Sequence, residues 1–352
     1  MKTMKNLFLL TFSLLFLVSC SSDDSPEPTP NPTAAYEKGI LVTNEGPFNN
    51  GSGTINYISN DYATVEQNIY RKVNGMDLGN IVQSMGFADE LAYIVVSNSQ
   101  KIMIVDRYSF ERKDSIKDGL ENPRYFMSTS GSKGYVSDWG DPLDNSDDYV
   151  ALMDLRTNTL VSKIPVAFGP ERMLSHANKL YVAHQGGYSQ NNLISVISGN
   201  SVESTITVGD VPNSMVVIGN NLYVLCGGNP NYTGNETPGS IVKIDLSTNQ
   251  VSQIFSFGAT QHPSSLTADD NNLYYNLDGN VYKVDSNTIN LPGTAIIQGS
   301  FYTLEGRNGK LYATDAGDFA SRGSLFIYDL SNNQQIQEFQ VGIVPGGIYF
   351  ND

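Results

Sequence analysis

A short apolar phrase recurs seven times along this chain, each copy roughly 40–50 residues after the last, the length of one four-stranded repeat unit. It reads Ile40-Leu41-Val42-Thr43-Asn44, Ala92-Tyr93-Ile94-Val95-Val96, Gly134-Tyr135-Val136-Ser137, Leu180-Tyr181-Val182-Ala183, Leu222-Tyr223-Val224-Leu225, Leu273-Tyr274-Tyr275 and Leu311-Tyr312-Ala313-Thr314. After a polar stretch a second apolar run follows, and five such runs end in an aspartate: Asp106, Asp154, Asp245, Asp285 and Asp329. A carboxylate there caps backbone N–H groups of the turn it opens. A third run comes next, as at 202–208, then a Gly/Pro step such as Gly209-Asp210-Val211-Pro212 and a fourth run rich in small residues. Run length, β-branched and aromatic content and turn chemistry predict strands, and no window of about 12 residues past the N-terminal segment carries a helical stripe.

One blade cannot bury both of its faces, whereas blades stacked around an axis can. The pattern predicts an all-β, seven-bladed β-propeller of four-stranded blades. The small-residue strands suit the crowded position beside the axis, and seven begin near Gln83, Arg124, Arg172, Asn213, Ser264, Phe301 and Gly347. The last, Gly347-Ile348-Tyr349-Phe350, has no outer strands left, and the repeat opening at Ile40 has no inner one. Together they are expected to complete one blade, which closes the ring and removes its exposed edges.

Residues 1–19 read as a signal peptide. Lys2 and Lys5 precede an apolar run at 7–18, too short to span a bilayer. Leu17-Val18-Ser19-Cys20 resembles a bacterial lipobox, which makes Cys20 the lipidated first residue of the mature protein. The alternative is an ordinary signal peptide with an incidental cysteine. Residues 20–35 form an acidic, proline-rich tether of about 45 Å at about 3.1 Å per residue. Asp23-Asp24 resembles the surface-export signal of some Gram-negative lipoproteins, a plain spacer being the alternative. The propeller occupies 36–352, and the expected location is the cell surface, anchored by lipid in the outer membrane. Cys226 is the one other cysteine and reads as a packed small residue. A formal charge of −15 argues against nucleic acid or anionic lipid as partner.

Candidate chemistry lies in the loops between the second and third strands. Two are tight, at 97–100 and 278–280. Five are long, and each holds an aromatic ring: Phe48, Trp139, Tyr188, Tyr232 and Phe319. Such a ring packs no blade core and suits a recognition surface, the alternative being a ring folded onto its own loop. His184 opens one of these loops. On the same face the Gly/Pro steps bring Arg124, Arg172, Asn213, His262 and Tyr302. Arg124 and Arg172 are candidate donors to a carboxylate, amide or phosphate, or else partners of Glu121 or Glu171. His176, His184 and His262 lack metal-ligand spacing, and no nucleophile elbow, P-loop or dinucleotide glycine signature is present. The run Asp144-Asn145-Ser146-Asp147-Asp148 could bind Ca²⁺, but it lacks an EF-hand pattern and reads more readily as a solvated acidic loop. The expectation is a binding protein without catalytic residues, cofactor or metal.

Leu41-Val42-Thr43-Asn44, Leu180-Tyr181-Val182-Ala183 and Val242-Lys243-Ile244-Asp245-Leu246-Ser247-Thr248-Asn249, with Gly209-Asp210-Val211-Pro212, resemble the YVTN-type or YncE-like β-propeller repeat over nearly all of 36–352. With the lipobox, the acidic spacer and the opening Ile40-Leu41-Val42-Thr43-Asn44-Glu45-Gly46, the chain is similar to surface lipoproteins that partner TonB-dependent outer-membrane transporters. That resemblance implies capture of a bulky nutrient, a corrinoid such as cobalamin or a ferric siderophore, and its transfer to such a transporter. The repeat also serves unrelated tasks. A propeller enzyme (a lactonase or quinoprotein-like dehydrogenase) and a protein-interaction or adhesion scaffold are the alternatives.

Overall fold

The repeated phrase forms the second strand of every blade, the position covered on both faces. Gly39–Asn44 is buried throughout, and Leu91–Val96, Lys179–His184 and Asn221–Cys226 are buried at all but their first residue. Successive side chains of such a strand face opposite neighbours. Ile94 packs with Leu41 of the preceding blade, and Tyr93 with Val136 of the following one. The tyrosine of the phrase also ties blades together through its hydroxyl. Tyr93 donates to Asn158 Oδ1 at 2.8 Å, Tyr135 to the Gly199 carbonyl at 2.9 Å, Tyr181 to Asn249 Oδ1 at 2.8 Å and Tyr223 to the Ser286 carbonyl at 3.0 Å. Each acceptor lies at an outer turn of the next blade, so the ring fills the interface and its polar end is satisfied.

The computed structural model describes residues 34–352 apart from 49, 130 and 131. The expected signal peptide at 1–19, the expected lipidated Cys20 and the expected tether up to residue 33 lie outside the described residues. Seven antiparallel sheets form the blades. From the axis outward, blade 1 is Pro345–Asn351, Gly39–Asn44, Thr54–Ser59 and Val65–Glu66, with Leu41 opposite both Tyr349 and Tyr57. The C-terminal strand therefore closes the ring as the sequence pattern requires. Blades 2 to 7 follow at 82–116, 123–165, 170–207, 212–256, 264–285 and 303–343. Seven apolar clusters, one per interface, make up the core.

The turn aspartates act as expected. Oδ1 of Asp106, Asp154, Asp245, Asp285 and Asp329 each accepts from a backbone N–H two residues on, at 2.8–3.0 Å.

Two details differ from the sequence reading. Blade 6 has three strands, Ser264–Asp269, Asn272–Leu277 and Asn280–Asp285. Where its outer strand was expected, the chain passes irregularly through Pro292 and bridges the sheet at Val281 and Ile297. Proline lacks the N–H a ladder needs, and Ile289 and Leu291 supply apolar cover instead. Between blades 1 and 2 a helix, Ile69–Asn74, buries Ile69 and Tyr70. The Asn68 side chain caps it, and Gly75 ends it at φ 68°. Six residues are too few to show as a helical stripe.

Candidate functional site

Six inner strands are bulged near their starting ends, that of blade 1 at Gly346, and the bulges decide what faces the axis. Gln83 is an extra residue between the pairs Val82–Val96 and Ser84–Val95, and Asn213 is extra between Pro212–Cys226 and Ser214–Leu225. Two residues oppose one at Arg124-Tyr125, Glu171-Arg172 and Ser265-Leu266. A bulge bends its strand and re-aims side chains. Four of these strands begin with a proline, which cannot donate to the ladder at that point. Gln83, Tyr125, Arg172, Asn213 and Ser265 thereby line a central cavity of about 610 Å³, with Glu305 and Tyr349 deeper along the walls and Glu45, Gln185 and Tyr302 from the loop face.

The long loops rise around this cavity on the face where the inner strands begin. Phe48 (69 % exposed), Tyr188 (73 %), Tyr232 (83 %) and Phe319 (56 %) present their rings to solvent, whereas the strand phrases bury theirs. Leu143, also on a long loop, is exposed as well. Trp139 differs from the expectation for these rings: it is half-buried and structural. Its Nε1 donates to the Pro170 carbonyl at 3.1 Å, and the Arg124 guanidinium lies 4.0 Å from its ring. Tyr188 meets the indole edge-on at 5.8 Å. Across the face, Tyr302 meets Phe319 edge-on at 5.5 Å and donates its hydroxyl to Glu45 Oε1 at 3.1 Å.

The two arginines have different fates. Arg124 Nε pairs with Glu171 Oε1 at 3.0 Å, and its Nη1 donates to Ser97 Oγ at 3.3 Å. Arg172 stacks 4.6 Å from the Tyr125 ring inside the cavity and, among the described residues, has no ion-pair or hydrogen-bond partner. Burial raises the carboxyl of Glu45, against the hydrogen bond from Tyr302. Burial also pushes Glu305 up to about 7, opposed by Arg172 and Arg307.

His184 lies in the core, its Nε2 sharing a hydrogen bond with Ser195 Oγ at 2.8 Å, and burial lowers it to about 4, so it is neutral and faces no solvent. His262 braces the blade 5 loop, with Nδ1 2.9 Å from the Gly227 carbonyl and Nε2 3.2 Å from Glu236 Oε1. Asn213 donates to the Pro263 carbonyl at 2.9 Å. In the acidic loop, Asp144 accepts from Ser146 and Asp148 from the Gly169 N–H. Among the described residues no group of three His, Cys, Asp or Glu side chains is placed to hold a metal ion.

The fold thus brings together Arg124, Trp139 and Tyr188 on one side of the mouth and Tyr302 and Phe319 on another, with Tyr232 and Phe48 standing apart. Sequence reasoning missed Gln83, Tyr125, Gln185, Glu305 and Tyr349. The available signal was period-two placement along the small-residue strands, which sets Glu305 and Tyr349 on the lumen side.

Residues 38–341 match a family described as a domain of unknown function, DUF5074. The chain belongs to that family. No curated protein matches the sequence. Among solved structures, this DUF5074 propeller is similar to a quinonprotein alcohol dehydrogenase-like protein from Bacteroides thetaiotaomicron, at 18 % identity and TM-score 0.65 over 90 % of this chain and 79 % of that one. A functionally unknown protein from Desulfotomaculum acetoxidans aligns at 12 % identity and TM-score 0.64, over 89 % and 98 %. BamB from Moraxella catarrhalis aligns at 14 % and 0.52, over 87 % and 83 %. At these identities the DUF5074 chain shares the fold with them, and the fold alone.

Proposed function

We propose that this DUF5074 propeller is a non-enzymatic capture protein, tethered to the outer membrane through a lipidated Cys20 and exposed at the cell surface. It binds a bulky nutrient, a corrinoid such as cobalamin or a ferric siderophore, and passes it to a TonB-dependent transporter. One observation carries this reading: Phe48, Tyr188, Tyr232 and Phe319 hold exposed rings on one face, around the mouth of the central cavity. Solvent-facing rings cost free energy that an isolated surface does not recover, whereas a wide ligand desolvates them together. The lipobox, the tether and the resemblance to transporter-associated surface lipoproteins supply location and partner. Calorimetric titration of the purified protein with cyanocobalamin and with a ferric catecholate siderophore tests it. Saturable binding of one of them supports the reading; heats equal to dilution for both oppose it.

A further inference from the structure

The central cavity carries a feature that the loop face does not explain. Arg172 is held in a bulge of the inner strand of blade 4, its guanidinium 4.6 Å from the Tyr125 ring. Its electrostatic neighbours are Tyr125, Tyr349, Glu171 and Glu305. Glu171 is already taken by Arg124 at 3.0 Å, and Glu305 forms no ion pair with Arg172. Gln83, on the inner strand of blade 2, and Gln185, in the blade 4 loop, likewise have no side-chain hydrogen-bond partner among the described residues. A guanidinium fork and two amides, all facing one lumen with unused donors, form a polar set that ordinary packing would have paired. The remaining walls set Phe87, Met173 and Met215 among Ser265, Thr267 and Thr303, so apolar patches lie within a mixed lining beside a single cation.

The sign of the ligand follows from how the nearby acids are spent. Glu171 is paired with Arg124, while burial raises the carboxyls of Glu45 and Glu305, against the hydrogen bond from Tyr302 on the first and the pull of Arg172 on the second. Arg172 is the one cation lining the cavity and has no ion-pair partner among the described residues, in a chain whose formal charge is −15. Guanidinium groups bind carboxylates through paired, charge-assisted hydrogen bonds, and an aromatic stacked on the guanidinium fixes the plane of that fork.

We propose that the central cavity is a binding site for a small organic carboxylate with an apolar or aromatic body, its carboxylate held by Arg172 and its outer atoms reached by Gln83 and Gln185. The site lies inside the cavity whose mouth the aromatic loops surround, and it stands whether or not those loops capture a nutrient.

Benzoate tests the charge and shape, and benzylamine presents the same ring with the opposite charge. Calorimetric titration of the purified protein is expected to show saturable benzoate binding and none for benzylamine. Arg172→Gln should weaken benzoate roughly tenfold or more, with Arg172→Lys intermediate because it keeps the charge and loses the fork. Should the Arg172 variants fail to fold, the Gln83→Ala/Gln185→Ala double variant still decides: it is expected to bind benzoate several-fold more weakly. Tyr188→Ala, on the loop face, should bind benzoate as wild type does, which separates this site from nutrient capture. Absence of benzoate binding to wild type, equal binding by Arg172→Gln or by the double variant where Arg172 cannot be tested, or tighter binding of benzylamine overturns the proposal.

Discussion

Arg124 and Glu171 lie 3.0 Å apart and join the inner strands of blades 3 and 4 just below the loop face. Both side chains are largely withdrawn from solvent, and burial raises the Glu171 carboxyl even against the pull of Arg124. The guanidinium also covers the Trp139 ring, and Trp139 in turn contacts Tyr188. Part of the candidate recognition surface is therefore built on a buried ion pair. Removing one partner strands the other charge.

Glu171→Ala is accordingly expected to destabilise the protein by about 3–5 kcal/mol, the usual result of orphaning a buried charge. Trp139→Ala gives up a hydrogen bond and a cation–π contact and should cost about 2 kcal/mol. Chemical denaturation of both variants checks this. Wild-type stability in either would mean that the pair and the indole are ornaments of the surface.

Asp154 ties a turn on the opposite face. Hydrogen bonds from the Arg156 side chain and N–H hold its carboxyl at about 2 instead of 3.8. A depressed carboxylate contributes stability above its unfolded pKa and loses that contribution as pH falls through the folded value. Asp154→Ala should therefore melt below wild type near neutral pH, with the gap closing between pH 3.8 and about 2. Thermal melts across that range check it, and a gap that stays constant would contradict the assignment.

Ring closure rests on Pro345–Asn351, which pairs with Gly39–Asn44 and contributes Ile348 to the apolar cluster between blades 7 and 1. Truncation after Val341 removes that strand and exposes a sheet edge in blade 1. The truncated protein should aggregate or melt markedly lower, read by light scattering and calorimetry. A monomer with unchanged melting temperature would contradict closure.

Strand order, blade count and closure were legible because every blade repeats the same burial problem, so the apolar phrase recurs with it. The short outer region of blade 6 and the helix at 69–74 were not, since each is a local departure from that period. The site was legible only in part. Exposed rings such as Tyr188 and Tyr232 stand out as aromatics in Gly/Asn loops, but nothing in the sequence says that Trp139 turns inward to Arg124 or that His184 is core. The bulges that aim Arg172 and Gln83 into the lumen depend on pairing with the next strand, which no single segment encodes.

Lipid anchoring predicts a cellular outcome. Cys20→Ala should release the protein from the membrane fraction, and external protease should remove wild type from intact cells. Unchanged membrane retention of the variant, or protection of wild type until lysis, would remove the surface location from the account.

The central claim is that the aromatic loop face captures a bulky ligand. Its most direct measurement is calorimetric titration of wild type, Tyr188→Ala, Tyr232→Ala and Asp245→Ala with whichever of cyanocobalamin or the ferric catecholate siderophore binds wild type. A buried aromatic anchor contributes on the order of 2 kcal/mol, so each loop variant is predicted to bind roughly 30-fold more weakly at nearly unchanged melting temperature. Asp245→Ala, which loses a turn cap on the far face, should melt lower and bind normally. Loop variants that bind as tightly as wild type while Asp245→Ala loses affinity would contradict the claim and place recognition on the opposite face.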